Sequence, residues 1–447
     1  MVLPFAAACA PEILAGRSGA LRIAVSWSGS ELAAFRAVLA GVASGRSTPR
    51  FSGPVEVVPL GDDIDTALNA GGRDAPDIIM LPDAGRIQEL AGTTLRAVRE
   101  SLWAPDGSPL YSDSWWQLLW HRDADDDAAS HFGVPFKAAN QSLVWYDRGA
   151  FTGSDTPQSW YLTDWPEQIV QFARTGRRLF ALGAADGWVL AYHFVNVLRA
   201  VAPRDYEDLA KPPANTADST AQGPDAQNSA APAASWDRPD VRAALQMLGA
   251  IWAPAQAFPG GVAETLRRQF PDAVRDVFQY GHAAMVVAPD YAEPIVRDCL
   301  RRTGRSESSV GVVPFPAYRG SQDLAPRIGA GDIMVVTAAA ADHADDLVAA
   351  LASRTAPQPW VTGYGGFVQP RLSAPVPPSY YGMFAGVRDQ MNAWDVFDFA
   401  DLVGPRGRRN GLWRILTRFL IDVGGHGPAG VDAATERAIA DLDRTWQ

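Results

Sequence analysis

The chain has 447 residues, 47% of them hydrophobic, enough for two sizeable cores. Its 39 basic residues stand against 50 acidic ones, a net charge of −11 with no basic block, which argues against nucleic acid or an anionic membrane as partner. No apolar run reaches the roughly 18 residues that a membrane span needs.

At the start, Val2-Leu-Pro-Phe-Ala-Ala-Ala-Cys9 is an apolar run closing on small residues and a cysteine. It looks like the tail of a bacterial lipoprotein signal, with Cys9 as the lipidated residue, although the charged leader of such a signal is absent. The plainer reading is an ordinary apolar N-terminus. If Cys9 is an anchor, Cys299 has no partner and no disulfide is expected.

Leu21–Val25 reads as a strand, followed by a polar turn at Ser26–Glu31 and a helical pattern through Leu39. Val55–Val58 and Asp77–Leu81 are further strands with helical patterns around them. Such alternation implies a parallel or mixed sheet whose ligands meet the loops at the strands' carboxyl ends, here Ser26–Glu31 and Pro82–Arg86. The adjacent Trp115 and Trp116 must point in different directions, so one of them is expected to be exposed. Gly133–Asp147 then places Lys137, Asn140 and Gln141 inside an otherwise apolar, extended segment, as a strand crossing a cleft would.

Further on, Trp165–Arg174, Val189–Arg199, Asp240–Trp252 and Thr265–Tyr280 read as helices. Residues 212–239 lack large apolar side chains before Trp236 and are expected to form a mobile insertion. Ala283–Ala288 is a buried strand, and Val310–Pro316 a second crossing. Ile333–Thr337 is a strand, and His343–Ala352 and Leu412–Val423 are helices. No internal repeat is visible.

Four segments in order resemble the extracellular solute-binding proteins of ABC importers, in the carbohydrate-binding family that includes the maltose-binding protein. They are Gly133–Asp147, Leu182–Trp188, Tyr280-Gly-His-Ala-Ala-Met285 and Gly363-Tyr-Gly-Gly-Phe367. The resemblance implies an α/β, bilobal fold of two discontinuous lobes joined by crossover strands around a central cleft. The first lobe would comprise 21–142 and 317–360, and the second 143–316 and 361–447, after a signal remnant and tether over 1–20.

A sugar site needs flat aromatic faces against the apolar sides of pyranose rings, and carboxylates and amides for the hydroxyls. The candidates divide by position. Ser30 and Glu31 lie at the first turn, where a helix cap and a favourable helix dipole are the plainer roles. Asp83 ends the third strand, with an Asx turn as its alternative. Asn140 and Gln141 lie in the crossover. Asp186, Gly187 and Trp188 offer a carboxylate and a ring, against a capping Asp beside a packed Trp. The resemblance places an aromatic platform at Asp290-Tyr291. Tyr364, Gly365 and Gly366 form a turn able to bring backbone N–H groups to a ligand, or a purely structural one.

No nucleophile elbow, phosphate loop or zinc-protease motif occurs, and the six histidines are scattered. Neither cofactor nor metal is expected, and no catalytic residue is assigned. The resemblance implies a monomeric, lipid-anchored receptor outside the cell membrane, capturing a sugar or oligosaccharide by hinge closure and delivering it to a permease. The alternatives are a polyol or glycerophosphodiester binder on the same fold, a secreted glycoside hydrolase, and a sensor or assembly subunit with a degraded cleft.

Overall fold

In the computed structural model, residues 19–69, 75–122, 129–211, 235–320 and 324–446 are described. Cys9 and residues 212–234 of the expected 212–239 insertion lie outside these residues; the remaining stretch is not a mobile insertion, since Trp236 is buried, its backbone N–H donates to Asp443, and Pro239 opens a helix. Two sheets organise the rest. The first runs Val55–Pro59, Leu21–Val25, Ile78–Leu81, Ile333–Thr337, Leu95–Arg96. Its first three strands are parallel, Ile333–Thr337 is antiparallel, and Val134–Pro135 pairs with this last strand as well. Ile78–Leu81 and Ile333–Thr337 are wholly buried, as runs of β-branched and apolar residues between covered faces must be.

The second sheet runs Arg178–Phe180, Ala283–Val287, Leu143–Asp147, Val310–Pro314. Helices Trp165–Arg174, Gly187–Val201, Pro239–Trp252 and Phe270–Phe278 belong to this body. Gly187–Val201 is buried nearly all round because its sequence is apolar on every face. The C-terminal helices Arg414–His426 and Val431–Trp446 pack on the same side, where Phe419 meets Trp252 with ring centroids 6.1 Å apart.

Between the two bodies lies a third, small sheet of Ala139–Asn140, Ile328–Ala330 and Val396–Phe397. Ile328–Ala330 is central, antiparallel to the first of these and parallel to the last. A bridge from Ala138 to Val368 brings a further pass of chain to the same place. The crossover read at Gly133–Asp147 thus begins in the first sheet, runs through this junction and ends in the second.

Three further expectations are corrected. The helix read over Thr265–Tyr280 is two helices, Gly261–Thr265 and Phe270–Phe278, because Gln269 is extended (φ −83°, ψ 167°) and Pro271 starts a new first turn. The helix read from Leu412 starts at Arg414, after a wide turn over Arg409–Trp413 in which Gly411 is non-helical. Helix Gln358–Gly363 straddles the boundary expected at 360/361, and its Trp360 packs on Trp27 and Phe35 of the first body. The adjacent tryptophans part as helix geometry requires: Trp115 is buried against Phe397, while Trp116 is partly exposed and lies against Trp103, Trp120 and His131.

Candidate functional site

A polar cluster of the first body is built on Lys137. Its ammonium lies 3.4 Å from Glu31 Oε1 and 3.3 Å from Asp332 Oδ2. Three rings surround it, with centroids at 3.9 Å for Trp360, 4.5 Å for Trp27 and 5.1 Å for Phe367. The side chain is 10% exposed, whereas Glu31 is 40% exposed and so keeps a face toward solvent. The Trp27 indole N–H donates to the same Asp332 oxygen at 3.2 Å. One cation therefore holds two carboxylates in place, and aromatic faces strengthen its hold because they are electron-rich.

Beside this cluster, the hydroxyls of Ser30 and Tyr364 share a hydrogen bond of 3.2 Å. Tyr364 is half-buried, and burial raises its hydroxyl above the ordinary tyrosine value. Ser28, and not Ser30, occupies the cap position of the helix that follows, without a side-chain capping bond.

A second cluster, on the second body, is aromatic. Trp188 lies against Phe270, Tyr192 and Tyr291, with centroids 5.0, 5.4 and 6.0 Å away. The Tyr291 hydroxyl donates to that of Tyr192 at 3.1 Å. Burial drives both hydroxyls well above the ordinary value, and the charges of Asp290 and Asp398 add to the shift in both. The Tyr364–Gly366 turn links the two clusters: Tyr364 bonds Ser30, and a Cβ on Gly366 would lie 3.2 Å from Tyr291 Cα.

The remaining candidates are bonded within the chain. Asn140 is 2% exposed, and its amide donates to Gln390 Oε1 at 3.1 Å while its oxygen accepts from the Ser142 N–H. Asp290 is 1% exposed and accepts the Asn140 backbone N–H at 3.1 Å; burial raises its carboxyl well above the ordinary range. Gln141 is buried, and its backbone carbonyl accepts from Asn196. These three residues form the floor at the small sheet, where a mid-crossover position means burial. Asp186 accepts the Phe270 N–H at 2.7 Å, which joins two segments of the second body.

The glycines are explained by close packing within the chain. A Cβ on Gly187 would stand 2.9 Å from Trp413 Cβ. Gly365 and Gly366 have φ of +83° and +87°, and the Gly366 N–H donates to Glu293 Oε2 at 2.9 Å. That donor is thereby taken up inside the chain.

Asp83 makes the Asx turn, accepting the Gly85 N–H at 3.1 Å, and its other oxygen is ion-paired with Arg408. Trp27, Asp332, Trp360, Tyr192, Phe270 and Arg408 carry no site signal of their own in the sequence. Lys137 carries one, being one of two lysines in the chain.

Among the described residues, no group of three or more His, Cys, Asp or Glu is placed to hold a metal ion. No helix among them is long and apolar enough to cross a membrane.

No family model matches the chain, and no curated protein sequence matches it. Solved structures do. The bacterial solute receptor AcbH, described as having an exclusive substrate preference for β-D-galactopyranose, is 14% identical with a TM-score of 0.73, over 97% of this chain and 100% of that one. An ABC transporter solute-binding protein from Thermotoga lettingae bound with α-D-tagatose is 14% identical with a TM-score of 0.68, over 96% and 100%. The GacH receptor of Streptomyces glaucescens, solved unliganded and with acarbose, is 15% identical with a TM-score of 0.63, over 96% and 100%. Two sheet-centred bodies, a junction of crossing strands and these likenesses over nearly the whole chain agree: the protein has the bilobal α/β fold of ABC-transporter solute-binding proteins.

Proposed function

We propose that the protein is the substrate-binding receptor of an ABC importer and that its ligand is a neutral sugar. One observation carries this reading: a carboxylate pair held by a buried lysine and a cluster of tyrosine and tryptophan rings from the other body are joined through the Tyr364–Gly366 turn, which touches both Ser30 and Tyr291. Each carboxylate has oxygens beyond those committed to Lys137, suited to accepting from sugar hydroxyls. The rings of the other cluster offer apolar faces to the C–H side of a pyranose.

The ligand bridges the two clusters, so its contacts with both are complete only when the lobes are together, and binding shifts the population toward closure. The closed, loaded form is the one that a permease would recognise, with Cys9 as the tether to the membrane. A glycerophosphodiester fits less well, because the one cation in the Glu31 cluster is already shared by two carboxylates. The chemistry described requires no reaction on the ligand.

A thermal-shift screen against mono-, di- and trisaccharides and glycerophosphocholine tests the reading, since a ligand preferring the folded form raises its melting temperature. A shift with at least one neutral sugar and none with the phosphodiester is expected. A shift with the phosphodiester alone would replace the ligand class, and release of reducing ends from an oligosaccharide would replace binder by hydrolase.

A further inference from the structure

The loop Pro82–Gly85 follows a first-body strand, whereas the segment Asp398–Arg408 is anchored to the second body. Phe399 packs on Tyr206, Trp236 and Trp446, with centroids 5.5, 5.6 and 6.1 Å away. The Tyr206 hydroxyl donates to the Phe397 carbonyl at 2.8 Å. Three contacts join the loop to this segment. Arg408 pairs with Asp83, both side chains being only 14% exposed. The Ala84 N–H donates to Asp401 Oδ1 at 2.6 Å, and Asp401 is 4% exposed.

The third contact is between backbones. A Cβ on Gly85 would lie 2.1 Å from the Ala400 carbonyl oxygen and 2.6 Å from Gly404 Cα. One on Gly404, where φ is +65°, would lie 2.4 Å from the Gly85 oxygen. Only two glycines permit this approach.

From these contacts we infer that Arg408, Asp401 and Gly404 are positioning residues that clasp the two lobes at the Asp83 loop, independently of any ligand. The inference rests on the proposed closure and deepens it. Asp83 acts on the ligand only through the lobe arrangement it stabilises, and the clasp sets how far the closed form is populated before a sugar arrives. Since a ligand's apparent affinity scales with the fraction of competent protein, weakening the clasp weakens binding without touching a ligand contact.

The test uses ligand-free, full-length protein carrying spin labels at Ala40→Cys in the first lobe and Arg301→Cys in the second, with Cys9→Ser, together with small-angle scattering of the unlabelled chain. Arg408→Gln and Asp83→Asn, which attack the clasp from opposite lobes, are expected to lengthen the interlobe distance and enlarge the radius of gyration. Arg408→Lys, which keeps the charge, is expected to restore both in part. Gly404→Ala is expected to lengthen the distance most, since it forces two backbones apart.

If Arg408→Gln and Asp83→Asn leave distance and radius unchanged, or lower the melting temperature with no change in distance, the inference is overturned. Should one variant fail to fold, the other decides. Because the readout needs no sugar, a failure of every sugar to bind would sink the proposed function and leave this measurement standing.

Discussion

The two clusters of the proposed site are built on different physics. At the first, a single ammonium organises two carboxylates and three rings, so its geometry depends on one charge. At the second, Trp188, Tyr192, Phe270 and Tyr291 hold one another by ring packing and one hydroxyl–hydroxyl bond, so the load is shared among several contacts. Charge gives precise placement with little redundancy. Stacked rings give tolerance with less exact placement.

Breaking the charged cluster has the largest expected effect. Lys137→Met leaves Glu31 and Asp332 close together without their cation, and removing one partner from a buried ionic group costs about 3–5 kcal/mol. Denaturant unfolding should show a loss approaching that range, and titration calorimetry a loss of sugar binding beyond tenfold. An equal loss in Asp332→Asn would be too large for a merely local contact, because that change leaves Glu31 paired with the lysine.

Trp188→Ala sharpens the contrast from the other side. It removes a half-buried ring but leaves three others in contact, so stability should fall by about 1–3 kcal/mol, below the usual cost of emptying a fully buried aromatic site. Sugar affinity should fall about fivefold, since ring stacking on a ligand contributes on the order of 1 kcal/mol. A stability loss with unchanged affinity would reassign Trp188 to packing alone.

A pH series probes the segment that begins at Asp398, beside the aromatic cluster. Burial holds the Asp398 carboxyl at about 6, above the ordinary 3.8, despite N–H bonds from Ala400 and Phe399 that oppose the rise. The folded state therefore binds this proton more tightly than the unfolded chain. The resulting stabilisation is complete below pH 3.8 and is lost as pH rises through about 6. Asp398→Asn, which keeps an acceptor at the helix cap, should flatten the part of the melting-temperature profile between those values.

The smallest effect is expected from Tyr291→Phe. It deletes one neutral hydrogen bond, the Tyr192 hydroxyl retains its own donor, and the net cost is about 1 kcal/mol.

The sheet strands and most helices were legible because their apolar runs and punctuation are local. Trp165–Arg174 appears with the bounds that its pattern indicated. The break at Gln269–Pro271 was also local, and the proline was its signal. The site was legible only by segment. Ser26–Glu31, Leu182–Trp188, Pro289–Tyr291 and Gly363–Phe367 all supply residues to the two clusters that the proposed site rests on.

Which atom in a segment faces which partner was not legible. Asp83 meets Arg408 across 325 positions and Lys137 meets Asp332 across 195, and no periodicity encodes such pairings. Asn140 and Asp290 look polar and available in sequence. Burial at the strand junction converts them into each other's partners.

The small central sheet bears on how the molecule can move. Its three strands are laced edge to edge by backbone hydrogen bonds, and sliding one strand past another would break ladder bonds that a bend of the ribbon keeps. The halves of the molecule should therefore swing like a door leaf on one line, with sideways slip suppressed. Whatever enters would be approached along a single arc, with the Lys137 side serving as the jamb.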